Sequence, residues 1–182
     1  MQNQKSKTSN QMTKKKFLTS EEQRLLTSNL LKLKAIQERD ALYFSLLIAT
    51  GARVSELLGI TKSDLFLSEG YGTIHIKGLK GSNNRDIPLK LELYQWAQEY
   101  ASKIDGEFLF DVTDSRMRQL WYQVCPTDKK MHSVRHTFAI ELYKKCRDLK
   151  KVQYALGHRS ILNTMVYLEF VEGQDALREF LV

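Results

Sequence analysis

A helix that is apolar on nearly every side has to be wrapped by the rest of its chain. Residues 38–49 read as such a helix. Ala41, Leu42, Phe44, Leu46, Leu47 and Ile48 leave no polar stripe wide enough to face water. Other elements must therefore cover it on several sides. At 182 residues and 42% apolar side chains, the chain can supply them as one domain with a sizeable core and a short extension. Thr50-Gly51 ends the helix, and Arg53 to Gly59 starts a short new turn.

The flanking elements follow from local patterns. Thr19 and Glu22 have the spacing of a capping box and open a helix through about Lys34. Residues 71–77 alternate, with Ile74 and Ile76 on one face and His75 and Lys77 on the other. The turn over residues 80–84, Lys-Gly-Ser-Asn-Asn, returns the chain to a strand over residues 85–89, whose Pro88 suits an edge or an end. A helix over residues 91–102 places Leu93, Trp96, Ala97 and Tyr100 inward. Residues 107–110 are short and apolar and are expected to supply a third strand. Thr113 or Asp114 caps a helix to about Val124, before the break at Pro126. Gly157 caps a helix end and sets His158 on a tight turn before Ser160 opens the next helix. Residues 174–182 read as a separate terminal amphipathic helix, with Ala176, Leu177, Phe180 and Leu181 on one side. These elements predict an α+β fold, mostly α-helical, with a small antiparallel three-stranded sheet.

Charge is unevenly spread. Of the formal net charge of +7, the five lysines of residues 1–16 carry +5, so the other 166 residues are nearly neutral at +2. That polar segment reads as a disordered basic tail, either simply solvated or, through Lys14, Lys15 and Lys16, touching phosphates. No run approaches the roughly 20 apolar residues of a membrane span, and no apolar segment follows the N-terminal lysines as in a secretory signal. Cys125 and Cys146 lack metal-site spacing and are expected to be reduced, as in a cytoplasmic protein.

The chemistry concentrates in residues 131–169. His132, Arg135 and His136 sit at i, i+3 and i+4 and share one helix face. His158 and Tyr167 follow. A zinc reading of the paired histidines fails on the missing glutamate and on the adjacent Arg135 charge. His136 alone also fits a satisfied core histidine, and Tyr167, among Ile161, Leu162, Val166, Leu168 and Phe170, fits plain core. A phenol with its ordinary pKa near 10 attacks only if cations stabilise the phenolate or a base takes its proton. Arg53, with Glu56 at i+3, fits a bidentate phosphate fork, although taken alone the pair suits an ordinary exposed ion pair better. Lys77 and Lys80 flank a hairpin turn, where lysines usually protect an edge. Together these residues compose a site for phosphoryl transfer.

In this order the residues resemble the tyrosine recombinase (phage integrase) family. The resemblance rests on Arg53 in TGARVSEL, a hairpin lysine, His132-x-x-Arg135-His136, Leu156-Gly157-His158 and Tyr167 nine residues later. It covers residues 17–182, essentially the family's catalytic domain, and implies a site-specific DNA recombinase. Arg53 and Arg135 would clamp the scissile phosphate, His132 and His158 would bind its non-bridging oxygens and help manage protons, and Tyr167 would form a 3′-phosphotyrosyl link. The family's lysine, which protonates the leaving 5′ oxygen, falls on Lys80 by counting back from Arg85, with Lys77 as the rival. Glu56 would orient Arg53, and His136 would pack behind Arg135. The exchange of one phosphodiester for another implies no cofactor, neither ATP nor a catalytic metal. The implied partners are double-stranded DNA and further copies of the chain, a homo-oligomer (tetramer) contacting through residues 174–182.

A DNA-relaxing type IB topoisomerase with the same chemistry, or a DNA-binding module without catalysis, are the alternatives. The family's usual N-terminal helical domain has no room here. That implies a catalytic-domain-only member, like certain DNA-inversion recombinases, or part of a longer protein.

Overall fold

The computed structural model describes residues 12–79 and 81–181. Helix α1 (Ser20–Lys34) starts at the expected capping box. The Thr19 amide donates to Glu22 Oε2 at 2.7 Å and the Glu22 amide to Thr19 Oγ1 at 3.3 Å. The apolar helix α2 (Glu38–Thr50) buries Ala41, Leu42, Tyr43, Phe44, Leu46 and Leu47. It ends at Gly51, whose φ of 60° lies in the left-handed region that glycine enters without steric cost. The short α3 (Val54–Leu58) follows, then a single 3-10 turn, Lys62–Asp64.

The sheet has the order β1–β2–β3, antiparallel throughout. Strand β2 (Tyr71–Ile76) is central and β3 (Arg85–Pro88) is an edge, as Pro88 requires. The third strand differs from expectation. It is β1 (Leu65–Ser68), registered with Leu65 opposite Ile74. Residues 107–110 make only an isolated bridge, Phe108 to Thr61. Both segments are short and apolar, and the two-residue turn at Glu69-Gly70, with φ of 49° and 83°, lets Leu65–Ser68 fold directly back on β2.

Helix α4 (Leu91–Lys103) lies between α2 and the sheet. It buries Tyr94, Ala97 and Ala101 most deeply, whereas Leu93, Trp96 and Tyr100 stand at the margin of the core. The inward face is rotated from the expected one because Tyr94 packs over Gly72 of β2. There an added Cβ would come within 2.2 Å of the ring. Helix α5 (Asp114–Val124) is capped by Thr113, whose hydroxyl accepts from the Arg116 amide.

Three further helices complete the domain: α6 (His132–Cys146), α7 (Leu149–Leu156) and α8 (Leu162–Leu181). They form a second apolar cluster of Ala139, Ile140, Tyr143, Val152, Leu156, Tyr167 and Val171. Helix α6 joins the two clusters: Val134 belongs to the first and Ala139 to the second. The expected separate helix at residues 174–182 is instead the continuation of α8. Residues 162–181 carry no proline, and Gly173 alone does not break a helix anchored by Tyr167 and Val171.

The N-terminal segment also differs. Residues 1–11 lie outside the described residues, but residues 12–16 form a turn, with Met12 buried in the second cluster and the Lys16 amide donating to the Thr13 carbonyl. Phe17 packs edge-on against Phe170 of α8, centroids 5.1 Å apart. Apolar Met12 and Phe17 bracket the lysines and tie the basic turn down. No helix among the described residues is long and apolar enough to cross a membrane.

Candidate active site

The site is built on a buried carboxylate. Glu56, in α3, accepts from Arg53 Nη1 at 2.8 Å, from the Arg53 amide at 2.9 Å and from Arg85 Nη2 at 2.7 Å. Arg135 Nη1 lies 4.0 Å from the same group. Three guanidiniums thus surround one fully buried carboxylate, leaving the cluster positive. Burial pushes the Glu56 carboxyl up, but the bonds from Arg85 and Arg53 outweigh it and hold its pKa at about 2. The Arg53–Glu56 pair is therefore not the exposed ion pair that the local sequence suggests.

Each arginine is aimed by backbone. Arg135 Nη1 donates to the Gly51 carbonyl at 2.8 Å and Nη2 to the Leu156 carbonyl at 2.5 Å, so the ends of α2 and α7 fix it. Desolvation and then the neighbouring Arg53 lower its pKa to about 10, still charged at ordinary pH. Arg85 Nε donates to the Ala155 carbonyl at 2.8 Å, tying β3 to α7. Arg53 is further held by a hydrogen bond from Nη1 to Ser82 Oγ, which links it to the hairpin.

Gly157 makes this junction possible. Its φ is 66°, and an added Cβ would stand 2.7 Å from the Asn83 carbonyl oxygen and 2.9 Å from Arg85 Nη1. Gly157→Ala is expected to destabilise the domain by more than about 1 kcal/mol, read as a lowered urea midpoint, with Arg85 and the hairpin displaced.

Arg53, Arg135, His132, His136, His158 and Tyr167 line one cavity of about 710 Å³. Tyr167 is buried, 3% exposed, and its hydroxyl lies 2.9 Å from His136 Nδ1. Burial raises the phenol to about 12 despite the opposing pull of Arg135 and Arg53, so the cations alone do not ionise it. His158 Nδ1 is held by the Thr164 hydroxyl at 2.9 Å. Burial, with Arg135 and Arg53 next, lowers His158 to about 4. His132 is exposed at the cavity mouth, its pKa lowered by desolvation and by the Arg135 and Arg53 charges. His136 does more than pack behind Arg135, since it reaches Tyr167 directly.

The lysines divide. Lys77, just past β2, donates to Asp64 Oδ2 at 3.1 Å. Burial works against the Asp64 carboxylate, but bonds from Thr61 and Lys77 hold it below its ordinary value. Lys80 lies outside the described residues. Lys16 lines the same cavity as Tyr167, Lys15 lines its neighbour, and Lys14 is exposed on the turn.

Three partners escape a reading of local sequence: Arg85, Ser82 and Thr164. Only Arg85 leaves a signal. It alternates with Ile87 on the buried side of β3, and a charge on an apolar face implies a buried partner.

The sequence pattern of the Phage integrase family matches residues 16–172, a span holding Arg53, Glu56, Arg85, His132, Arg135, His136, His158 and Tyr167. The chain belongs to the phage integrase family. It is 32% identical over 166 residues to a tyrosine recombinase of Pseudothermotoga lettingae, and 30% identical over 166 residues to the tyrosine recombinase XerA of Thermococcus kodakarensis. Each match covers 84% of this chain and 57% of the relative, so the chain spans little more than half the length of these curated relatives.

Among family structures, the XerH site-specific recombinase bound to difH substrate superposes with a TM-score of 0.74 at 26% identity, over 89% of this chain and 52% of that one. The catalytic domain of bacteriophage HP1 integrase has the same fold, with a TM-score of 0.65 at 24% identity, over 91% of this chain and 94% of that domain. The mostly helical architecture with its three-stranded sheet is thus that of a family catalytic domain.

Proposed function

We propose that the chain is the catalytic domain of a site-specific DNA recombinase that cuts and rejoins DNA through a 3′-phosphotyrosyl link. One observation carries the reading: the Tyr167 phenol shares a cavity with Arg53, Arg135, His132 and His158, and both arginines, with Arg85, share the Glu56 carboxylate. The XerH relative, a site-specific recombinase crystallised on its substrate, supports it.

In this reaction the Tyr167 oxygen attacks the scissile phosphorus and the bond to the 5′ oxygen breaks. Negative charge grows on the non-bridging oxygens of a pentavalent transition state. Arg53 and Arg135 meet that charge as fixed forks, already oriented by Glu56, Gly51 and Leu156, so little reorganisation accompanies the reaction. His158, steadied by Thr164, and His132 complete the cradle. Lys80 gives the leaving oxygen its proton, since Lys77 is engaged with Asp64. Lys14, Lys15 and Lys16 contribute salt-sensitive contacts to flanking phosphates of double-stranded DNA, and so does Lys77, whose side chain stays exposed beside Asp64. Four copies assemble on that DNA through residues 174–182, where Leu177 and Leu181 are exposed. The setting is the cytoplasm, where Cys125 and Cys146 stay thiols.

The test begins with a pool of nicked duplexes of randomised sequence, from which covalent adducts are isolated under denaturing conditions. Adduct whose trimmed nucleotide maps to Tyr167 by mass spectrometry is the expected result. No adduct from any duplex leaves only a DNA-binding module. Relaxation of arbitrary supercoiled plasmid by monomer, without exchange between defined sites, marks a topoisomerase instead.

The lysine role has its own measurement. Lys80→Ala is expected to slow cleavage on the recovered duplex by about 100-fold or more with an ordinary 5′ oxygen, and far less with a 5′ sulfur, which hardly needs a proton. The differential appearing in Lys77→Ala instead reassigns the role to Lys77.

A further inference from the structure

The destination of the phenol's own proton is written in the geometry of α6. Resting on the recombinase reading above, we infer that His136 takes the Tyr167 proton through Nδ1 as the phenol oxygen attacks, and returns it when the strand is rejoined. The balance is simple. The Tyr167 O–H bond breaks, its electron pair becomes the new O–P bond, and the proton forms an N–H bond on His136. The leaving 5′ oxygen receives a different proton.

Three observations converge on this residue. First, the contact is direct, at 2.9 Å with the two rings tilted 52°. This is hydrogen-bond distance from an acceptor to the proton that must leave. Among the described residues neither His132 nor His158 hydrogen-bonds Tyr167, and the Nδ1 of His158 is committed to Thr164.

Second, the direction of the bond follows from the two environments. Burial holds the phenol protonated, with its pKa raised to about 12. Burial of His136, followed by the charges of His132, Lys16, Arg135 and His158, lowers its imidazole to about 4. The phenol therefore donates and a neutral Nδ1 accepts.

Third, His136 has a way out. It lines the reaction cavity and also a neighbouring cavity of about 500 Å³ walled by Lys15, Lys16, Asp128 and His132. A proton taken on one side can reach solvent on the other.

The low basicity of His136 in the free protein belongs to the device. Burial and the standing charges of Lys16 and Arg135 oppose a further positive charge there. A DNA phosphate seated among those charges offsets their opposition and raises the basicity of the imidazole, while burial, the larger cause of its lowering, remains. Proton transfer, and with it the nucleophile, is thereby tied to the presence of substrate, and the phenol stays protonated in the free enzyme.

The experiment uses the duplex recovered from the randomised pool, carrying a 5′-bridging sulfur so that leaving-group protonation does not limit the rate. His136→Asn keeps an acceptor near the position of Nδ1 but no basicity. It is expected to slow adduct formation by about 100-fold or more, with duplex binding unchanged. The deficit should shrink as the pH rises and solvent hydroxide takes over. In His136→Ala, added imidazole should restore the rate in proportion to its concentration. Wild-type rates in His136→Asn, or a slowing equal at every pH and unresponsive to imidazole, would overturn the assignment while leaving the recombinase reading intact. Absence of adduct from the wild-type protein removes that reading, and this inference with it.

Discussion

Exchange of Tyr167 for phenylalanine is expected to abolish the covalent adduct entirely while leaving the fold and the affinity for DNA nearly unchanged. The two effects separate because the hydroxyl has little structural work. The ring fills the second apolar cluster and phenylalanine fills it equally well. The lost hydrogen bond to His136 is worth about 1 kcal/mol, a shift of a few degrees in Tm. The chemistry has no substitute, since the position is buried and a water in its place would be neither oriented nor covalently retained. The adduct is read on denaturing gels and binding by gel shift on the same duplex. Residual adduct in Tyr167→Phe would mean that another residue is the nucleophile.

The second large effect is expected at Glu56. Glu56→Ala leaves Arg53, Arg85 and Arg135 facing one another with no shared anion, two of them buried. Removal of one partner from a buried ionic network costs about 3–5 kcal/mol. A loss of that size threatens folding outright. Glu56→Gln keeps the shape and separates charge from packing. It should fold less stably than the wild type and lose adduct formation, because Arg53 is no longer drawn into position.

The same group sets an acid limit. The folded-state pKa of Glu56, about 2, lies below its ordinary value of 4.5. Its ionic contribution is therefore fully present above pH 4.5 and is lost as the pH falls toward 2. Urea midpoints measured across that window should fall steeply in the wild type and less so in Glu56→Gln. Parallel curves would show that the carboxylate is not the organising charge.

How much of this was legible in the residues alone depended on range. The Thr19–Glu22 box, the glycine ends at Gly51 and Gly157, the alternation of Ile74 and Ile76 and the shared helix face of His132, Arg135 and His136 are all decided within a few residues. They fold as the local pattern predicts. The family resemblance also named the residues that now line one cavity, because a motif records spacing even when the chain between is opaque.

What failed was pairing at a distance. Leu65–Ser68 and residues 107–110 look alike as strands, and only the turn at Glu69-Gly70 and the surface offered by β2 choose between them. The pattern beyond Gly173 reads as a separate helix because apolar residues resume there, yet it only continues α8, with Leu177 and Leu181 exposed.

The sequence by itself determined most of the helices, the capping box and glycine ends that bound them, and which polar side chains share a helix face, since those depend on backbone hydrogen bonds and side chains a turn apart. Only the tertiary structure decided what those groups do to each other. It brings Arg85 to Glu56 across 29 residues and His136 to Tyr167 across 31. It also buries the phenol far enough that neighbouring arginines do not ionise it. Charge and proton affinity in such a site follow from desolvation and through-space distance, and neither quantity is written in the order of the chain.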